Sequence, residues 1–267
     1  MPTPANPRSL LFVPGDRPER FAKAAASGAD GIVLDLEDAV ASVNKAQARH
    51  HVAAWLADSK SMVRINAADT EWFDGDVALV QSTHCPVMVP KVQSAAQIAA
   101  IVRHLPNVPV TVLLETASGI VHSAEICAVP GVTGVAFGSV DLGAELGVDP
   151  ADRQSMAQAR GALVLAAAAN QLPPPLDGVC VDLENDDVVA AEAKYAARLG
   201  FGGKLCIHPR QVISINGAFT PTVEDVAWAQ RVVGADEGNG TAVVDGKMID
   251  RPVLIRASRI LQRADRR

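Results

Sequence analysis

The chain has 267 residues, 49% of them hydrophobic, and a formal net charge of -6 at pH 7 with a pI near 5.5. That is enough apolar material for one large buried core and too little positive charge for a surface that neutralises nucleic-acid phosphates, so an anionic ligand would need a locally basic pocket. Cys85, Cys127, Cys180 and Cys206 form no C-x-x-C pair and stand at no zinc-like spacing from a histidine, and the longest apolar stretch, residues 161–169, is far short of a membrane span, so the expectation is a cytoplasmic protein with reduced thiols.

After a polar, proline-rich start, β-branched or aliphatic runs at 10–13, 31–36, 62–65, 87–89, 111–114, 134–137, 178–181 and 203–207 predict eight strands. Alanine-rich stretches with helical spacing lie between them, at 20–26, 44–57, 95–104, 154–169 and 188–199. Near-continuously apolar strands separated by helical crossovers describe a parallel sheet buried on both faces, and eight such units close a (β/α)8 TIM barrel of the α/β class. An open doubly wound sheet is the rival, but no strand leads into G-x-G-x-x-G or a Walker-type turn. Beyond Asn216 the pattern changes to a helix at 223–233, a glycine-rich turn at 234–240, a short strand at 241–244 and a final basic helix. This tail is too small for an independent core. The expected organisation is a catalytic barrel over 1–217 and a helical lid or oligomerisation segment over 218–267.

Catalytic groups of such barrels project from the C-terminal ends of the strands. Strand two runs into Asp35, Glu37 and Asp38, strand three carries Arg64 and Asn66, and strand four ends in Lys91. Strand five ends in Glu115, strand six is followed by Gly138, Ser139 and Asp141, and strand eight ends at His208. A single carboxylate there is often only a helix cap; the joint placement points to a site. Glu115 and Asp141, from consecutive strands, suit a hard divalent cation such as Mg2+ that keeps water or substrate oxygens, and the same pair would also serve as a proton-sharing dyad or in salt bridges. Arg64, in an otherwise apolar strand, needs an anionic partner, which could be Glu37, a substrate oxygen or a purely structural ion pair. Backbone N–H groups near Gly138 and Ser139 could cradle a carboxylate, although a tight turn explains the glycine equally. His208 could cap a turn or touch substrate. Arg17 and Arg20 follow strand one and suit phosphates, while Pro18 needs no more than a helix start.

These residues fall within longer runs: RSLLFVPGDRP from Arg8, LDLEDAV from Leu34, VRIN from Val63, PKV from Pro90, LETASG from Leu114, FGSVDL from Phe137, GFGGKLCIHP from Gly200 and GKMID from Gly246. Together they make the chain resemble the citrate lyase β-subunit-like family, close to malyl-CoA and citramalyl-CoA lyases, over nearly its whole length. The resemblance implies that Glu115 and Asp141 bind Mg2+, that Arg64 holds the substrate oxygen, and that Glu37 and Asp38 support the metal's waters. It implies, too, that Asp250, on a C-terminal lid lent by a neighbouring subunit of a trimer or hexamer, is the acid/base for the thioester's α-carbon. Composition alone makes Asp250 a helix cap. Arg17, Lys91, His208, Gly138 and Ser139 complete the expected substrate and CoA contacts, the substrates being an acyl-CoA thioester and a 2-oxo acid, with no nucleic acid or membrane partner. One departure stands out: citrate lyase β-subunits tend to carry Glu-Asp-Tyr where this chain has Val140, Asp141 and Leu142, which favours a free-standing CoA-dependent lyase. The rivals are a metal aldolase for a CoA-free 4-hydroxy-2-oxo acid, a synthase or thioesterase variant, and a non-catalytic acyl-CoA-binding subunit.

Overall fold

In a computed structural model, which describes residues 6–235 and 242–265, eight parallel strands close into a TIM barrel. They are β1 (Ser9–Pro14), β2 (Gly31–Asp35), β3 (Met62–Arg64), β4 (Val87–Val89), β5 (Val110–Leu114), β6 (Val132–Phe137), β7 (Leu176–Asp177) and β8 (Gly203–Cys206). Pairing of Leu10 with Leu205 and of Leu11 with Cys206 joins the last strand to the first. Side chains alternate across a strand, and one inward residue from each strand fills the barrel: Leu10, Val33, Met62, Met88, Leu113, Ala136, Leu176 and Leu205. Two residues further along, the same alternation brings Phe12, Asp35, Arg64, Glu115, Gly138 and Gly178 to the next layer. The barrel floor is therefore apolar and its C-terminal mouth is charged.

The crossovers are α1 (Phe21–Ala25), α2 (Lys45–Asp58), α3 (Phe73–Thr83), α4 (Ala95–Arg103), α5 (Ala117–Val121), α6 (Ser123–Cys127), α7 (Ser139–Leu146), α8 (Arg153–Ala169) and α9 (Asp186–Leu199), followed by α10 (Gln211–Phe219). Their starts have local causes. Ser94, Thr116, Asp152 and Asn185 each accept a backbone N–H of the following turn, the usual work of an N-cap.

The seventh strand differs from the sequence reading. It lies at Leu176–Asp177, ahead of the apolar run at 178–181. A side chain on Gly178 would overlap the Ser139 hydroxyl and approach Phe137 O at 3.1 Å, so the chain passes tightly under the mouth and leaves the ladder. Val179 then packs on the barrel layer while Val181 is exposed. Asp177 turns outward between barrel and helices, where Arg160 Nε and Lys204 Nζ meet it at 2.8 and 2.9 Å.

The chain divides into two compact units, Met1–Gly217 and Ala218–Arg267. The second holds α11 (Val223–Gly234), an antiparallel hairpin of β9 (Ala242–Val244) and β10 (Lys247–Ile249), and α12 (Arg251–Ala264). Most of the anticipated glycine-rich turn lies outside the described residues. A reciprocal cap between Thr222 and Asp225 opens α11. Ala229, Val232, Ile249 and Ala257 form a small core, and Arg256 lies 5.1 Å over the Trp228 ring. Among the described residues no helix is long and apolar enough to cross a membrane.

Candidate active site

Asp35 and Arg64 are register partners on β2 and β3, and their side chains close a two-pronged ion pair: Arg64 Nε donates to Asp35 Oδ1 at 2.7 Å and Nη2 to Oδ2 at 2.6 Å. The third nitrogen, Nη1, lies 2.9 Å from Glu37 Oε2, and the guanidinium stacks 4.8 Å over the Phe12 ring. Burial opposes the charge on Arg64, but Asp35, Glu37 and Glu115 outweigh it and raise its pKa, so it stays a cation. The anionic partner that the sequence left open is thus chiefly Asp35, with Glu37 second. Asp35 was legible as a strand-end carboxylate, yet only the register shows that it faces the arginine.

Glu37 is buried between two cations. Its other oxygen lies 2.8 Å from Lys91 Nζ, which also reaches Asp38 at 3.4 Å. The contacts to Glu37 have ion-pair distances without the alignment of hydrogen bonds on its oxygens. Burial pushes the Glu37 pKa up, and Arg64 and Lys91 pull it part of the way back. Lys91 adopts a left-handed backbone, φ 53°, which costs a non-glycine residue roughly 1–2 kcal/mol and concentrates at functional sites. That conformation aims its N–H at Glu115 Oε1, 2.9 Å away, while its ammonium serves Glu37. Lys91, expected at the substrate, is therefore engaged with acidic neighbours.

Glu115 is 1% exposed. Burial, then the negative charges of Glu37 and Asp141, push its pKa up to about 8, against Arg64 and the Lys91 N–H. Glu115 leans into the space where Gly138 lacks a side chain: a Cβ there would overlap the glutamate and lie 2.6 Å from its Oε2. Asp141 stands in the first turn of α7 and is exposed. The Gly138 N–H donates to Leu114 O at 3.0 Å, so it is committed to the strand. A carboxylate at this turn would have to use the N–H groups that follow, which an α-helix leaves without internal acceptors.

Arg64, Glu115, Gly138, Ser139 and Asp141 line one cavity of about 70 Å³ at the barrel mouth, floored by Phe12, Leu113, Phe137 and Leu205. A larger cavity of about 330 Å³ opens at the opposite end among Leu10, Met62, Thr111 and Leu176, and among the described residues no charged side chain lines it. Of these two cavities, the smaller is the one lined by charged groups. Glu37, Asp38 and Lys91 adjoin it through Arg64 and Glu115. Arg17 and His208 do not line it: Arg17 is exposed beside Asp16, and His208 Nδ1 accepts the Arg210 N–H at 3.2 Å within its own turn. Asp250 lies in the second unit, exposed, its Oδ1 accepting the Val253 N–H at 3.3 Å as the cap of α12.

Two crowded carboxyl groups, one buried, form a place where a cation would relieve like-charge repulsion. Among the described residues no cluster of three or more acidic, histidine or cysteine side chains could hold a metal, and the four cysteines are buried and free. An oxygen-only pair that leaves most positions to water or substrate fits Mg2+ rather than zinc or iron. The residues present therefore fit the ion.

A family model described as HpcH/HpaI aldolase/citrate lyase matches residues 8–209. A citrate lyase subunit beta-like protein of Mycobacterium tuberculosis is 40% identical over 95% of this chain and 94% of its own length. A (3S)-malyl-CoA thioesterase of Cereibacter sphaeroides is 35% identical over 97% and 94%. Among solved structures, CitE from M. tuberculosis in complex with magnesium, acetoacetate and coenzyme A is similar with a TM-score of 0.84 and 37% identity, covering 97% of this chain and 98% of that one.

Proposed function

Because the chain belongs to the HpcH/HpaI aldolase/citrate lyase family, we propose that it is a Mg2+-dependent carbon–carbon lyase. It cleaves, or in reverse condenses, a carboxylated 3-hydroxyacyl-CoA such as malyl-, citramalyl- or citryl-CoA, giving acetyl-CoA and a 2-oxo acid. The observation that carries this reading is the acid pair Glu115 and Asp141 beside a buried, fully charged Arg64 in one small cavity. The similar structures solved with magnesium together with acetoacetate and coenzyme A, or with oxaloacetate, support it.

In this reading Glu115 and Asp141 would hold Mg2+, which would supply Lewis-acid stabilisation of charge on the substrate's 3-oxygen. Arg64 donates to that same oxygen, stabilising the charge that develops there by an amount on the order of a few kcal/mol. Glu37 and Asp38 orient Arg64, Lys91 and nearby water. The 3-hydroxyl gives up its proton to a base of the site and becomes the carbonyl of the 2-oxo acid, the carbon–carbon bond breaks, and its electrons pass into the thioester enolate. The Asp250 carboxyl, brought by a lid from a neighbouring subunit, protonates the enolate carbon. Ser139 and the turn after it receive the carboxylate, while Arg17, Lys91 and His208 serve the CoA moiety. The enzyme works in the cytoplasm as a homo-oligomer, a trimer or hexamer.

A second reading, hydrolysis of the thioester, is favoured by the likeness to (3S)-malyl-CoA thioesterases. One assay separates them: the purified chain is incubated with malyl-, citramalyl- and citryl-CoA, with Mg2+ or with EDTA, and the products are quantified. The lyase reading expects acetyl-CoA and a 2-oxo acid in equal amounts, only with Mg2+. Free CoA with an intact hydroxy acid would replace it with the thioesterase reading, and no turnover on any substrate would overturn both.

A further inference from the structure

The turn that carries Glu37 is held from both polarities. On one side Asp35 accepts the Glu37 N–H at 2.9 Å and the Ala39 N–H at 3.1 Å, while the same carboxylate grips Arg64. On the other side Lys45, the first residue of α2 and 6% exposed, donates from Nζ to Leu36 O and Glu37 O, both at 2.7 Å, and to Asn66 Oδ1 at 2.6 Å. Its three N–H donors thus have three acceptors, and the ammonium also lies 5.0 Å over the Trp72 ring. Asn66 is itself fixed: its N and Nδ2 donate to Asp76 Oδ2 at 2.9 and 2.6 Å, and Asp76 Oδ1 accepts Arg49 Nε at 2.8 Å.

Every direct acceptor of the Lys45 ammonium is neutral, two of them carbonyls of a non-helical turn. Burial opposes this charge, and the nearby carboxylates of Asp35, Glu37, Asp76 and Asp38 offset that only in part; a methionine would fill the same space without it. Lys45 also lines no part of the mouth cavity. What its charge provides is a fixed position for residues 36 and 37. We propose that Lys45 is a positioning residue, which pins the 35–39 turn so that the Glu37 carboxylate meets Arg64 and Lys91, and through them sets the guanidinium facing the reacting oxygen. The inference rests on the lyase reading for its kinetic consequence and on geometry alone for the pin.

The test uses Lys45→Met, Glu37→Gln and the double variant, each assayed on the best thioester of the panel with Mg2+, together with hydrogen exchange of the 35–40 amides. Lys45→Met is expected to lower kcat by about tenfold to a hundredfold, the scale of a small misplacement at a reacting centre, with KM for the thioester within about threefold because ground-state contacts are untouched. Exchange should rise in 35–40 and not in the Arg160, Asp177 and Lys204 region. In the Glu37→Gln background the same change should cost less than about threefold, since the two residues act as one unit. A purely structural lysine would instead give additive losses and a general rise in exchange. Lys45→Arg, which keeps donors on the same carbonyls, should recover most of the turnover, and Lys45→Gln carries the comparison if Lys45→Met does not fold. A folded Lys45→Met with kcat within twofold of the parent, or an additive cycle, overturns the proposal. Should the parent chain cleave none of the thioesters, the lyase reading falls and the exchange arm alone decides the pin: unchanged exchange at 35–40 overturns it.

Discussion

Arg64 interrupts an apolar strand, and that interruption is visible in the sequence because a guanidinium inside a barrel must find an anion. Which anion was not visible. Asp35 ends strand two and Glu37 follows it, and only the register, with Asp35 opposite Arg64, shows that Asp35 takes the fork while Glu37 takes the remaining nitrogen. Lys45 was equally hidden, since a lysine early in a predicted helix reads as a solvated residue, whereas here it is buried against the turn before it. Glu115, Asp141 and Ser139 were legible from their places at strand ends, and the structure brings them into one cavity with Arg64. His208 and Arg17 stand outside that lining, His208 in a local turn contact that its motif does not reveal. The central arginine invites a direct prediction. Arg64→Lys keeps the charge but cannot make the planar fork to Asp35, so kcat should fall by roughly 10²–10³-fold in a protein whose circular dichroism is unchanged. Near-parental turnover would remove Arg64 from the chemistry.

At the scale of elements, seven of the eight strands lie where the apolar runs put them, because a strand buried on both faces has no other way to read. The seventh does not, because backbone crowding at Gly178 displaces the run from the ladder and the paired residues include a charged one, Asp177. An aspartate inside a core strand interrupts the apolar run that marks a buried strand. It is tolerated because Lys204 on β8 and Arg160 on α8 neutralise it where barrel meets helices, with Glu192 of α9 3.1 Å from Lys204. Burial alone would raise the Asp177 pKa, but the two cations prevail and hold it below the usual carboxylate range; by the same pairing Lys204 is held above its ordinary value. The Asp177 contribution to stability is present above its unfolded pKa of about 3.9 and is lost as pH falls through the folded value, while that of Lys204 is present below about 10.4 and lost as pH rises through its own. Asp177→Asn should therefore lower the urea-derived unfolding free energy by about 3–5 kcal/mol at neutral pH, and the gap to the parent should narrow below about pH 4. A gap that stays constant into acid would show that Asp177 titrates as an ordinary carboxylate.

For the molecule as a whole, barrel closure turns charges scattered from Asp35 to Asp141 along the sequence into one mouth, while a layer with one apolar residue from every strand seals the floor beneath them. That convergence was readable once the strand number was known, since eight parallel strands admit one end for catalytic groups. The change of pattern beyond Asn216 is visible in the sequence, yet the hairpin within 218–267 is not: only the first of its two short strands has an apolar run, and the second, Lys247–Ile249, looks like a loop. The proposed chemistry requires a cation held between Glu115 and Asp141. A crystal grown with Mg2+ and a 2-oxo acid tests this most directly: the ion should sit on carboxylate oxygens of both residues, with the oxo acid completing its shell and Arg64 on the oxo oxygen. An ion bound elsewhere, or an oxo acid bound at the mouth with no metal between those two side chains, would contradict it.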